Sequence, residues 1–476
     1  MEGDKMVDIL IIGCGIVGSL MAYELSKYDV KVVVVDKEND IANESTMANS
    51  AIIHAGFDPV PNTLKAKLNL LGKDLYEPLC KSLKVGYKKI GSLTVATSEE
   101  EVKKLEILES RAKENKVKVR LISGDEVRVL EPQLSTNIVK GLVCEETAIV
   151  YPWEVAIAAM EVALNNGVEL QLNTEVLAIH KGDNYEVQTS NGMIRAKMVI
   201  NAAGLFGCEV GRMINPEFEF EIQPRRGTYF VLDKDFNAIS RVIYPTPTER
   251  GKGVLIVPTT HGNTLLGPDS EIVDDKENVA TTVEAYDYIK DQLSRILPQF
   301  PATHVMRSFT GLRASGSSGD FYIQPDSRYE TFVHVIGIES PGLSAAPAIS
   351  KYVLDFIRPH IELNEKEWDS SRRPYVNLKA LTREEKNALI QKNPAYGRMV
   401  CRCEQITEGE IIDSIRRHAG ATTVKGVKKR CRPGMGKCQG SFCEPYVLQI
   451  LARELNQCVD EVNYDEVGTN ILVEEK

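Results

Sequence analysis

Residues 7–36 read VDILIIGCGIVGSLMAYELSKYDVKVVVVD, and this stretch decides the fold. VDILII is a continuous apolar run, IVGSLMAYELSK carries apolar residues at helical spacing, and VKVVVVD is β-branched and apolar again. Uninterrupted apolar strands flanking a helix describe a βαβ unit whose strands are buried on both faces. Gly13, Gly15 and Gly18 occupy the first turn as GxGxxG. Glycine there permits a tight turn, close approach of a diphosphate and close helix packing, and the helix N-terminus meets the phosphate charge. Asp36 closes the second strand 18 residues beyond Gly18. From that position a carboxylate accepts hydrogen bonds from a ribose 2′-OH and disfavours a 2′-phosphate. A dinucleotide site follows, and the motif alone leaves FAD and NAD open.

Outward from this unit, helical spacing recurs near 63–83, 99–115, 152–166, 281–297 and 345–358, with strand-like runs near 168–201, 220–232 and 253–267. The coarse result is mixed α/β with an antiparallel-rich insertion. From about 360 to 397 the chain turns polar and reads as a linker crossing the surface, which would keep the parts on either side independent. In a chain of 476 residues, 57 Lys+Arg stand against 67 Asp+Glu, a net charge of −10 that disfavours bulk attraction to nucleic acid or anionic lipid. No stretch approaches the roughly 18 apolar residues of a membrane helix, and the first residues lack a signal-peptide pattern, so a cytoplasmic location is expected.

Further stretches carry a resemblance. IIGCGIVGSLMAYELSK, STMANSAIIHAGF at 45–57, VINAAGLF at 199–206, FTGLRASGSSGDFYI and VIGIESPGLSAAPAIS at 309–350 are similar to the FAD-dependent family of D-amino-acid oxidase folds. Within it they resemble the branch of glycerol-3-phosphate and L-2-hydroxyglutarate dehydrogenases. The resemblance covers nearly all of 6–358 and implies FAD. It also implies a Rossmann-like FAD-binding domain assembled from 1–84, 146–215 and 325–360, and an antiparallel-rich substrate (roof) domain from 85–145 and 216–324. Carried over by position, Asp36, Lys37, Ser45, Thr46, Asn49, Ser50, Val176, Ala203 and Gly204 would line the cofactor. Gly337, Ser340, Pro341, Gly342 and Leu343 would form the loop against the flavin pyrimidine, where a following helix start offsets negative charge.

The resemblance also places His54, in IIHAGF, and Arg313, in GLRAS, beside a small anionic substrate. A histidine titrating near 6.5 suits a base at neutral pH, and an arginine fork suits a carboxylate or phosphate. Arg225 and Arg226, opening a roof strand, and His261, in TTHGN, are further candidates for substrate binding; additional cations would favour a phosphate dianion. Sequence leaves phosphate and carboxylate open at Arg313; the activity the resemblance implies is oxidation of sn-glycerol 3-phosphate to dihydroxyacetone phosphate by hydride transfer to flavin N5, with L-2-hydroxyglutarate or another 2-hydroxy or amino acid as the alternative substrate.

Five of the ten cysteines crowd between 401 and 443. Clustered thiols without an export signal point to metal ligation rather than disulfides. Cys401 and Cys403 are one residue apart, Cys438 and Cys443 four apart, with 34 residues between the pairs. Thr407 and Ser441 each head a capping-box pattern, which would put Cys443 in a first helical turn. Residues 398–458 resemble the bacterioferritin-associated ferredoxin-like [2Fe-2S] domain appended to the large subunit of anaerobic glycerol-3-phosphate dehydrogenase. A small helical iron–sulfur domain, followed by a tail at 459–476, is thus implied. Companion flavin or iron–sulfur redox subunits are implied as well. Four thiolates serve zinc equally, and the role of Cys431 stays open. Ten Lys/Arg against four acids between 398 and 437 leave a zinc module binding nucleic acid as the non-enzymatic reading. Only Phe442 and Tyr446 interleave with those charges, so base stacking has little support and no nucleic-acid partner is expected.

Overall fold

The computed structural model describes residues 6–247 and 251–472. The opening unit forms as read: β1 spans Met6–Ile12, α1 Ile16–Leu25 and β2 Val32–Val35. Apolar residues on every side of α1 are explained by its packing between helices Pro152–Asn165 and Gly342–Ile357. β1 pairs in parallel with β2 and with Gly192–Asn201, and Phe332–Ile336 continues the parallel set beyond the latter. Chain segments far apart in sequence thus build one sheet, whose core includes Ile9, Ile11, Val34 and Ile200.

The helical spacings fold as Leu64–Leu83, Glu99–Glu114, Pro152–Asn165, Val283–Ser294 and Gly342–Ile357. Thr63, Ser98 and Thr282 cap three of them by accepting from the backbone N–H three residues on. A second sheet of nine strands roofs the first unit. Two of its strands concern the site: β3, Ile222–Leu232, and β4, Val305–Gly316, which pair antiparallel along almost their whole length. Their register sets Arg225 opposite Arg313, so both guanidinium groups leave the same face of the sheet, and Arg226 leaves the other.

Beyond α2, Gly342–Ile357, residues 361–397 are less free than their polarity suggests. Trp368 Nε1 donates to Ser26 Oγ at 3.0 Å, and Arg372, only 3% exposed, pairs with Glu161 at 2.6 Å. The C-terminal domain packs Glu408–Ile415, α3 (Val424–Cys431) and α4 (Glu444–Leu455) around Ile411, Val427 and Leu451. It is bolted to the first domain by buried ion pairs: Arg417 with Glu161 at 2.9 Å, and Arg430 with Asp40 at 2.7 Å. Independence of the two parts, expected from the polar linker, is corrected by this seam. The linker composition reports its solvent face and hides Arg372, which turns inward.

Candidate functional site

Gly13 has φ +103°, and a Cβ there would stand 2.4 Å from the Ala202 carbonyl; a Cβ on Gly18 would stand 1.9 Å from the Gly13 carbonyl. Only glycine lets this turn close. The Asp36 carboxylate accepts from the Cys14 N–H at 2.6 Å and the Glu38 N–H at 2.9 Å, so it braces the turn. The N-cap of α1 is Gly15, with no capping side chain and no acid in the first turn, which leaves the positive helix end open to an anion. Thr46 Oγ1 accepts from the Ile16 N–H at 2.9 Å, and Ser45 Oγ donates to the Leu312 carbonyl at 2.6 Å. Gly15, Ser45, Thr46, Asn49, Ser50 and Gly204 line one cavity together with Ser340, Pro341, Gly342 and Leu343.

The structure therefore brings most of the expected cofactor residues together. Ala203 lies between the lining residues Ala202 and Gly204, and Gly337, at φ +66°, packs on Phe220 behind the loop. Val176 is buried in the sheet, and Lys37 pairs with Glu277 above the Phe206 ring, in a neighbouring cavity. Sequence reasoning missed Gly311, where a Cβ would stand 2.1 Å from the Ala48 carbonyl.

Adjoining this cavity is a cleft of about 1080 Å³. His54 stands where the two meet, with its backbone N–H on Ser344 Oγ at 2.7 Å. Its Nδ1 is 3.2 Å from the Tyr244 hydroxyl and its Nε2 is 3.3 Å from Ser340 Oγ. Burial pushes His54 well below the usual imidazole range, and the Lys252 ammonium adds to this; the ring is neutral at pH 7, free to take a proton. Arg313 donates from Nη2 to the Asp269 carbonyl at 3.1 Å, and Arg225 from Nη1 to Ser270 Oγ at 3.2 Å. Both line the cleft.

Arg226 does not line it. Its guanidinium is held by Glu271 at 2.5 Å and by Asn278 Oδ1 at 2.9 Å, on the opposite face of β3. His261 is also elsewhere: Nε2 meets Glu154 at 2.9 Å and the ring packs edge-on to Tyr151, beside the C-terminal domain. Lys252, which sequence reasoning passed over, joins the site by reaching Ser340 Oγ at 3.3 Å and Asp58 at 3.2 Å. Glycines at 251 and 253 were the available signal, since the positive φ at both, +115° and +75°, turns this cation inward.

In the C-terminal domain the thiols pair across the motif rather than within it. Cys403 and Cys438 bring their sulfurs to 3.6 Å. Cys401 and Cys443 share a thiol hydrogen bond, which lowers Cys401 to about 6. Two thiol pairs suit a two-iron centre with two thiolates per iron. A Cβ on Gly436 would stand 2.3 Å from Cys403 Cβ, so the loop closes only with glycine. Thr407 and Glu410 form the expected capping box. Ser441 does not cap: it donates to the Cys438 carbonyl at 2.8 Å, and Cys443 itself is the N-cap of α4. Cys431 is buried, its thiol raised by desolvation, and its S–H points to the Val427 carbonyl at 3.5 Å. It is a core thiol.

Residues 8–356 match the family described as FAD dependent oxidoreductase. The chain belongs to that family. Residues 399–453 match the BFD-like [2Fe-2S] binding domain, so the FAD oxidoreductase carries a [2Fe-2S] centre, to which the paired thiols are suited. Over 472 residues the oxidoreductase is 43% identical to a glycerol 3-phosphate dehydrogenase of Caloramator mitchellensis, covering 98% of each chain. It is 33% identical to the glycerol 3-phosphate oxidase of Mycoplasma pneumoniae, covering 78% of this chain and 97% of that one. A solved structure of the dithionite-reduced L-alpha-glycerophosphate oxidase from Mycoplasma pneumoniae with FAD bound superposes with a TM-score of 0.74 at 32% identity, covering 78% of this chain and all of that one.

Proposed function

We propose that this oxidoreductase converts sn-glycerol 3-phosphate to dihydroxyacetone phosphate. The observation that carries the reading is the register that sets Arg225 opposite Arg313 on the cleft face, close to a neutral His54. Two guanidinium groups suit a phosphate dianion better than a single carboxylate. The dehydrogenase relative spanning 98% of the chain supports the same substrate. Arg225 and Arg313 hold the phosphate, and the C2 hydroxyl gives its proton to His54 Nε2, the ring nitrogen on the Ser340 side. Tyr244 on Nδ1 and Ser344 on the backbone fix the ring. Burial, with the Lys252 ammonium adding to it, keeps the imidazole from protonating in the resting enzyme. FAD, held by the glycine turn, residues 45–50 and 340–343, supplies the hydride acceptor, and the [2Fe-2S] centre on Cys401, Cys403, Cys438 and Cys443 supplies one-electron transfer to a partner. Exit on that side is supported by the exposure of Cys403 and of Phe442, which is 78% exposed next to Cys443.

Anaerobic mixing with sn-glycerol 3-phosphate, followed by flavin bleaching, tests the reading; rapid bleaching is expected with this substrate. Bleaching by L-2-hydroxyglutarate in its place would overturn it.

A further inference from the structure

The segment that follows β2 and links Asp36 to Ser45 and Thr46 is gripped by the C-terminal domain along most of its length. Asp40, 5% exposed, accepts from Arg430 Nη1 at 2.8 Å and Nη2 at 2.7 Å, and Lys429 Nζ lies 3.1 Å away. Lys429 Nζ also donates to the Ile41 carbonyl at 2.5 Å and to Asn43 Oδ1 at 2.8 Å. The Asn39 amide donates to the Asp465 carbonyl, and the Asn43 amide reaches the Asp465 carboxylate at 3.3 Å. Lys425 holds that same carboxylate. Lys425, Lys429 and Arg430 all belong to α3, which leads into the cluster loop.

Both ends of the gripped segment touch the glycine turn or the cavity wall: Asp36 on the Cys14 N–H, Thr46 on the Ile16 N–H, and Ser45 on the Leu312 carbonyl. We propose that the C-terminal domain clamps FAD: α3 and the 465 loop hold residues 39–43 so that Asp36, Ser45 and Thr46 stay closed on the dinucleotide. Lys429 and Arg430 are positioning residues in this scheme, since neither lines the cavity. The physical reason is the buried Asp40 charge. Without its cations it must return to water, and the short segment carries its neighbours outward with it. Linkage makes the effect reciprocal: if docking of α3 favours FAD, FAD favours docking of α3 by the same factor. The proposal rests on the assignment of residues 13–50 to FAD, and the test separates the two.

The experiment measures FAD release from the full-length holoenzyme by equilibrium dialysis, with the visible absorption of the cluster as the control for folding. Arg430→Ala and Asp40→Asn are each expected to weaken FAD binding about ten-fold or more with the cluster retained, and Arg430→Lys to recover part of the loss. In parallel, FAD-depleted wild type is expected to exchange the amide hydrogens of residues 424–431 faster than holoenzyme. Unchanged FAD affinity in a folded Arg430→Ala protein overturns the clamp, as does identical exchange with and without FAD. If Arg430→Ala does not fold, the exchange comparison decides on wild-type protein alone. Thr46→Val is the arm for the underlying assignment. If it weakens FAD while Arg430→Ala does not, the clamp alone fails; if it leaves FAD untouched, the site assignment fails.

Discussion

The seam between the domains and the cleft beside Arg313 both remove guanidinium groups from bulk water, but they treat them differently. At the seam Arg417 is saturated: it meets Glu161 at 2.9 Å, Asp413 at 2.8 Å, and the carbonyls of Arg373 at 2.6 Å and Pro374 at 3.0 Å. In the cleft Arg225 and Arg313 form no ion pair with the described residues: Arg225 donates to Ser270 Oγ, and Arg313 to the Asp269 carbonyl and the Tyr229 hydroxyl, all neutral oxygens. A guanidinium carries five donors. Where neighbours use them the group fixes geometry, and where donors face a cleft the group is prepared for an anionic ligand. The difference teaches how one chain keeps docking rigid and a cleft receptive with the same residue type.

The largest effect is expected on the receptive side. His54→Ala should slow flavin reduction by about 10²–10⁴-fold, the usual worth of a positioned base, with a smaller change in substrate binding; stopped-flow bleaching checks it. The direction of the His54 shift adds a pH test. A base whose folded value lies below 6.5 stays neutral down to that lower value, so kcat/KM of the free enzyme should hold through pH 6.5 and fall only below it. An acid limb centred above 6.5 would detach the cleft from this scheme.

On the rigid side, Arg417→Ala leaves Glu161 and Asp413 buried with a partner missing. The expected loss is roughly 3 kcal/mol in stability of the docked C-terminal domain, since breaking a buried pair strands a charge. Denaturant unfolding followed through the cluster absorption measures it, and the flavin reduction rate should be unchanged. A loss within experimental scatter would erase the contrast between seam and cleft.

A smaller, sharper test is Arg313→Lys. Charge is kept and the fork is lost, so KM should rise about 10- to 100-fold while the limiting bleaching rate changes less. The smallest effects are expected at Arg226→Gln and His261→Ala, whose kinetics should stay within about two-fold of wild type. A large kinetic loss at either position would mean that the β3 register, or the side of the fold assigned to His261, does not define the cleft.

The candidate site was legible in sequence to different depths. His54 and Arg313 were reached through position in a family pattern and the cleft contains both. Adjacent Arg225 and Arg226 read alike, because composition carries no face; the pairing of β3 with β4 sends one to the cleft and the other to Glu271. Lys252 was invisible because its importance comes from reaching Ser340, 88 residues away. The cysteines were legible as a thiol cluster, but their spacing suggested neighbours in sequence as pairs, and the folded loop joins Cys403 to Cys438 instead.

By itself the sequence determined the βαβ opening, its glycine turn, the positions of five long helices and the thiol set of the [2Fe-2S] domain. These depend on periodicity, on steric freedom at single positions and on caps reaching three residues, all local properties written in neighbouring letters. Only the tertiary structure decided which arginine faces the cleft, which thiols pair, and that the polar linker conceals a buried seam. Those outcomes rest on strand register and on charges brought together across as many as 390 positions, as between Asp40 and Arg430. A buried charge is stable only where the whole fold delivers its partner, and no local pattern specifies that delivery.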